Sequence, residues 1–115
     1  MSDRRVVVTG MGAVSPFGVS VDVLWDGLVS GVPATRPITI FDSSRFEVHI
    51  GGEVPSFDPA KYLEPKLIKR LDRYAQFAMV AAEEAFRASG LDLDKVDPYR
   101  VAVILISLYS HQLLN

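Results

Sequence analysis

The chain contains no cysteine. That excludes a disulfide, a cysteine-ligated zinc ion and a cysteine nucleophile anywhere in its 115 residues. Histidine occurs only twice, at His49 and His111, and no spacing of His, Asp or Glu suits a metal, so neither a metal site nor a cofactor is expected. Charge of one sign is not in large excess: the formal net charge is -2, which gives no general attraction to nucleic acid or to an anionic membrane. Long apolar runs are missing too. The longest, Val101 to Ile106 with Leu108 beyond it, falls far short of the roughly 20 residues of a membrane span. Only a few apolar residues separate Met1–Arg5 from Gly10, too few for a signal-peptide core. The expectation is a soluble, cytoplasmic chain with no nucleic-acid partner and no membrane partner.

What is present is globular in character, with 49% apolar and 23% charged residues in a length that allows one domain with a core. Arg4 to Thr9 is unbroken and β-branched, the pattern of a buried parallel strand. Residues 10–18 read as a loop. Leu24, Trp25, Leu28 and Val29 recur at helical spacing, with Ser20 as the N-cap and Gly31 as the stop. Residues 33–44 look irregular. Phe46, Val48 and Ile50 alternate with Glu47 and His49, predicting a short strand that continues to Val54, and residues 55–59 connect it onward. A long helix is predicted from Glu64 to Ser89, opened by Pro65 and closed by Gly90. A polar turn, Asp92 to Pro98, precedes a second β-branched run, Arg100 to Ile106. This order predicts an α/β unit in which the first and last strands are parallel neighbours beneath the long helix. Two principal strands are few for a finished sheet of this class, which typically has about four to six.

The strand followed by Gly10-Met11-Gly12 invites comparison with a dinucleotide-binding turn. That fingerprint needs a third glycine and a helix opening at once, with an acidic residue about 20 positions later. Here Ser15 stands at the third position, Pro16 follows, and no strand ends in a suitably placed acid. A tight turn whose glycines allow unusual backbone angles is the better reading, and a nucleotide-binding domain is the weakest alternative.

"RRVVVTGMGAVSPFG" at residues 4–18, "LWDGLVSG" at 24–31, Phe41-Asp42, "GGEVPSFDP" at 51–59, "KLIKRLDRYAQFAMVAAEEAF" at 66–86 and "RVAVI" at 100–104 together resemble the amino-terminal region of the β-ketoacyl-acyl carrier protein synthase II family. The resemblance covers residues 4–104 in register and implies the first quarter or so of a family chain. It implies a partial thiolase-like (ketosynthase) α/β fold, the amino-terminal part of the first of two similar halves. Residues 1–104 would then belong to a β-ketoacyl synthase domain, with 105–115 a divergent tail. The family's reaction is decarboxylative Claisen condensation of an acyl thioester with malonyl-acyl carrier protein. It uses a cysteine nucleophile and two histidines, all downstream of the matched region, and the family forms homodimers through regions expected to be missing here. No catalytic residue is therefore carried over. At the tail, Leu105 to Asn115 replaces the family's glycine-rich turn, as a truncated or frame-shifted reading frame would.

His49 reads as a partly exposed strand side chain, and nothing carries over to His111. Asp42, Asp58 and Asp72 read as turn, cap or helix-surface groups. Lys66, Lys69, Arg70 and Arg73 share one helix face, while Leu67, Leu71, Ala75, Ala78 and Ala82 share another. Composition alone makes the basic face a solvated one, with Asp72 and Glu64 as local partners. The resemblance gives Lys66, Lys69 and Arg70 a role in docking the acidic acyl carrier protein. The expected function is that of an inactive amino-terminal part of the condensing enzyme; the alternative is a non-catalytic carrier-protein-binding module.

Overall fold

The computed structural model describes residues 4–104 and residue 106. Its elements are short. Strands β1 (Val14–Ser15) and β2 (Gly18–Val19) form an antiparallel hairpin across Pro16-Phe17, with Val14 opposite Val19 and Ser15 opposite Gly18. Helix α1 (Val21–Ser30) follows at once. Strands β3 (Arg36–Pro37) and β4 (Ile50–Gly51) pair antiparallel, and the Ile38 amide extends that ladder by donating to the His49 carbonyl at 2.9 Å. A single 3₁₀ turn at Pro59–Lys61 leads to helix α2 (Pro65–Ile68) and then to helix α3 (Arg73–Ser89).

Helix α1 starts and stops where its sequence says. The Ser20 hydroxyl accepts from the Val23 amide, and Gly31 takes the left-handed conformation, φ 67°, that lets its own amide close on Leu28. Ser20 itself sits at φ 117°, a costly angle for a residue with a Cβ. Its amide donates to the Ala13 carbonyl at 2.9 Å, and the next amide, Val21, is held by Glu84, so the surroundings fix the angle.

The predicted long helix from Glu64 to Ser89 is broken. The chain leaves helical geometry at Asp72 (ψ 158°) and restarts at Arg73. The broken ends are capped from within: the buried Gln76 side-chain amide donates to the Ile68 carbonyl at 3.1 Å and to the Leu71 carbonyl at 2.9 Å. Helical periodicity runs through the break unaltered, so periodicity alone did not reveal it.

The two β-branched runs, Arg4–Thr9 and Arg100–Ile106, form no strand among the described residues, and their expected parallel pairing is absent. Val6 is 94% exposed and Val103 92%. β-branched residues favour a strand only where neighbours pair and pack against it, and nothing described here does so. The start of the second run is diverted further by a 3₁₀ turn at Pro98–Arg100, capped by Asp97. The strand expected over Phe46 to Val54 shrinks to Ile50–Gly51, and its partner lies in the segment read as irregular.

Gly10 and Gly12 are explained by close approach. A Cβ on Gly12 would collide with the Ala81 carbonyl oxygen, and one on Gly10 with the Ala85 carbonyl oxygen. Neither residue is among those with positive φ. The glycines therefore let the loop lie against the backbone of α3, and the reading of them as residues of unusual backbone angle is corrected. After Gly12 the chain enters a hairpin and not a helix, which removes the dinucleotide geometry.

The core is small. Among the described residues Val54, Phe57 and Val80 are the buried apolar ones, with Val14, Val19, Leu63 and Phe77 packed against them. Phe57 meets Phe77 edge-on at 4.7 Å and stacks on Tyr62 at 5.9 Å. Trp25, Ile40 and Ile104 stay open to solvent. On helix α3 only Gln76 and Val80 are buried, although Phe77, Met79, Val80 and Ala81 make much of its circumference apolar. The accessible surface is 10318 Å², against about 6200 Å² for a compact monomer of 12.7 kDa.

Two outcomes follow from this packing. Gly12→Ala should speed hydrogen exchange of the Ala13 and Val21 amides by on the order of tenfold, because overpacking costs about 1–3 kcal/mol and loosens the loop from α3; unchanged exchange would contradict the close approach. The purified chain should also bind an apolar dye and elute as a species larger than a monomer. A dye-silent monomer with a cooperative thermal transition would show the exposed apolar surface to be harmless.

Candidate functional site

Helix α2 is a single turn. Pro65 fixes its first residue, and the Leu67 and Ile68 amides both donate to the Glu64 carbonyl. The turn closes through Lys69 N–H on the Pro65 carbonyl and through Arg70 and Leu71 N–H on the Leu67 carbonyl. Leu67 and Ile68 turn inward and are half-buried, while Lys66, Lys69 and Arg70 are exposed. The sequence grouped Arg73 with these three, and the structure separates it. Arg73 Nη2 donates to the Val54 carbonyl at 2.9 Å, and its guanidinium lies 5.1 Å from the Phe77 ring centroid and 5.5 Å from that of Phe57. Arg73 thus serves packing, with a cation–π contribution. The ion pairs among the described residues are Arg87–Glu83 and Lys95–Asp92, so Asp72 and Glu64 do not neutralise Lys66, Lys69 or Arg70 as expected.

Beside this basic segment a cavity of about 820 Å³ opens between Tyr62, Leu63 and Leu67 on one side and Met79, Val80 and Glu83 on the other. A smaller one, about 400 Å³, lies between the β3–β4 ribbon and the start of α3, with Glu53 and Arg73 in its lining. Glu53 ties the ribbon together: its carboxylate accepts from Thr39 N and Thr39 Oγ1, both at 2.7 Å, and from Ile40 N at 3.0 Å. The Thr39 hydroxyl, then the Thr39 and Ile40 amides, hold its carboxyl below the ordinary glutamate value.

The remaining candidates are placed simply. His49 is exposed, 3.4 Å from the Ser43 hydroxyl. His111 lies outside the described residues. Asp42 accepts from the Ser44 amide and Asp58 from the Ala60 amide, as turn and cap residues do; the former bond also lowers the Asp42 pKa. Asp72 occupies the N-cap position of α3 without a side-chain cap bond. Among the described residues there is no cluster of three metal-ligating side chains.

Sequence reasoning missed Glu84. Its Oε2 accepts from Ala13 N and its Oε1 from Val21 N, both at 2.9 Å, so one carboxylate spans the loop and the first turn of α1. The available signal was a carboxylate set among Ala81, Ala82, Ala85 and Ala88, small residues that let a backbone come close.

The family model described as the β-ketoacyl synthase amino-terminal domain matches residues 3–112. The chain belongs to this family. It is 50% identical over 103 residues to a Streptomyces cyaneus protein named as a polyketide beta-ketoacyl synthase 1, covering 89% of this chain and 24% of that relative. It is 44% identical over 105 residues to the 3-oxoacyl-[acyl-carrier-protein] synthase 2 of Coxiella burnetii, covering 91% and 25%. The solved ishigamide ketosynthase/chain length factor superposes with a TM-score of 0.71 at 36% identity, over 83% of this chain and 24% of that one. The β-ketoacyl synthase chain described here is thus a partial α/β unit of the thiolase-like fold, spanning about a quarter of the length of these relatives. No helix among the described residues is long and apolar enough to cross a membrane.

The hydrogen bonds to Glu53 set the sign of a pH dependence in the family unit. The folded pKa of Glu53 is lowered, so its contribution is present above the unfolded glutamate value, about 4.3, and is lost as the pH falls through that value and below. Carbon-detected NMR of the carboxylate should give a midpoint below that of an unfolded peptide, and Glu53→Gln should remove the corresponding acid-induced loosening of the Thr39 and Ile40 amides. A midpoint at or above the peptide value would contradict the three hydrogen bonds.

Proposed function

We propose that this chain supplies the amino-terminal part of a β-ketoacyl-acyl carrier protein synthase, in which Lys66, Lys69 and Arg70 dock the acidic acyl carrier protein. In this reading residues 1–104 form the family unit and 105–115 a divergent tail; the family match ends at residue 112, inside that tail. The carrying observation is the set of three exposed cations on one short turn, none in an ion pair among the described residues. Such a cluster steers an acidic partner through local field, whatever the small negative total. The Coxiella burnetii and Staphylococcus aureus relatives are named as 3-oxoacyl-[acyl-carrier-protein] synthases, which supports the choice of partner.

In the proposed role the chain alone carries no condensing chemistry. Without cysteine no cysteinyl acyl-enzyme forms. Ser15 is no replacement: it is buried, and its hydroxyl donates to the Gly18 carbonyl at 3.3 Å, with no hydrogen bond to a His, Asp or Glu among the described residues.

Acyl carrier protein should bind the chain in a salt-sensitive manner, and the triple reversal Lys66→Glu, Lys69→Glu, Arg70→Glu should weaken binding by on the order of tenfold or more. Equal affinity in the triple variant would remove the docking role. Carbon dioxide release from malonyl-acyl carrier protein, and transfer of a radiolabelled acyl group to the protein, should both stay at the no-protein background. Turnover above background would overturn the inactive reading.

A further inference from the structure

Resting on the carrier-docking reading, we propose that Gln76 is a positioning residue for carrier recognition: it locks the break between α2 and α3 and so sets how Lys69 and Arg70 are presented. The break frees two carbonyls, those of Ile68 and Leu71, and neither accepts a backbone amide among the described residues. A primary amide nitrogen carries two N–H bonds. Gln76 Nε2 places them on these two oxygens, at 3.1 and 2.9 Å, from a side chain only 7% exposed. The match of two donors to two acceptors is complete. An ionised glutamate has no donor for either carbonyl, and leucine has no polar group at all. Asparagine is one methylene shorter.

The break also decides which cations remain available. In an unbroken helix Lys66, Lys69, Arg70 and Arg73 share one face. At the observed break Arg73 is redirected to the Val54 carbonyl and the Phe57 and Phe77 rings, and Lys66, Lys69 and Arg70 remain on the preceding turn. If the lock is lost, the two free carbonyls are satisfied most simply by the Asp72 and Ala75 amides at helical spacing, which continues the helix and re-aims the three cations. Gln76 thus acts on the docking surface without touching the partner.

The test compares the full chain with Gln76→Leu, Gln76→Glu and, as a packing control, Val80→Ala, a buried substitution one helical turn further along α3 that touches neither freed carbonyl. Labelled acyl carrier protein reports affinity at two salt concentrations, and hydrogen exchange reports the Asp72 and Ala75 amides. Both Gln76 variants should alter exchange at these amides and weaken carrier binding by on the order of fivefold or more, as expected of a displaced charge cluster. Val80→Ala, which shares the core with Phe57 and Phe77 and the cavity lining with Leu67, reports the effect of general loosening, and its loss of affinity should be smaller than that of either Gln76 variant. Unaltered affinity in Gln76→Leu, unaltered exchange in either Gln76 variant, or an equal loss in Val80→Ala, overturns the proposal. The triple charge reversal separates the two readings. If it leaves affinity unchanged, carrier docking itself fails and this proposal falls with it. If it weakens binding while Gln76→Leu does not, only the positioning role fails.

Discussion

The carboxylate of Glu84 is the contact on which the amino-terminal half depends. It joins the loop amide of Ala13 to the first helical amide of α1, and both lie more than sixty residues away in sequence. Hydrogen bonds to a charged acceptor contribute roughly 1.5–3 kcal/mol each, and leaving a half-buried amide unpaired costs a similar amount. Such a bond needs the loop close to the helix backbone, which Gly10 and Gly12 allow because any side chain there would strike a carbonyl of α3. The glycines and the glutamate are therefore one device. The glycines set the distance, and the glutamate uses it. The strained angle at Ser20 follows as a consequence, since the residues on either side of its bond to Ala13 are already fixed.

A second device of the same kind organises the basic segment. Gln76 and Arg73 both reach backward from the first turn of α3 to main-chain carbonyls, those of Ile68, Leu71 and Val54. Polar side chains at a helix start commonly serve the helix they belong to. These serve the segments before it, so α3 acts as the bar to which the rest of the chain is attached. Arg73 shows why equal charge does not mean equal role. Its guanidinium is flanked by two aromatic faces and spends a donor on Val54, whereas Lys66 on the preceding helix α2 stays free of any ion pair among the described residues.

The legible part of the fold was the part governed by local chemistry. Helix α1 announced its cap, its periodicity and its stop within twelve residues, and each is made by contacts at most a few positions apart. The acidic residues read as caps and turns at Asp42 and Asp58 behave as such for the same reason. The β-branched runs at Arg4–Thr9 and Arg100–Ile106 failed as strands because a ladder is a property of two segments and the pattern belongs to one. The break before Arg73 was hidden because the decisive contact lies in the side chain of Gln76, which a hydropathy pattern counts only as one polar residue. Of the candidate site, the exposure of Lys66, Lys69 and Arg70 was readable from their spacing. The withdrawal of Arg73 was not, since it requires Val54, Phe57 and Phe77 to be brought together from elsewhere.

The same division explains why so compact a set of tethers leaves so much apolar surface. Capped turns, the glutamate bridge and the glutamine lock fix backbone geometry using polar atoms, and each closes within this chain. Burial is different, because it scales with area, and the three apolar residues buried among the described ones enclose little of it. The accessible surface, 10318 Å², stands well above the roughly 6200 Å² of a compact monomer of this mass. Among its highly exposed apolar contributors, Val6, Val8, Val103, Ile104 and Ile106 sit in the two runs whose sequence asks for strand neighbours, and Tyr99 lies just before the second. The polar tethers can therefore hold the shape of the family unit at the hairpin, at α1 and at the α2–α3 break, while the sheet that would give that shape its hydrophobic stability is not assembled from the described residues. Local backbone geometry is thus set by the polar tethers at Gln76 and Glu84, while the apolar burial that a sheet would add comes from residues these tethers do not bring together.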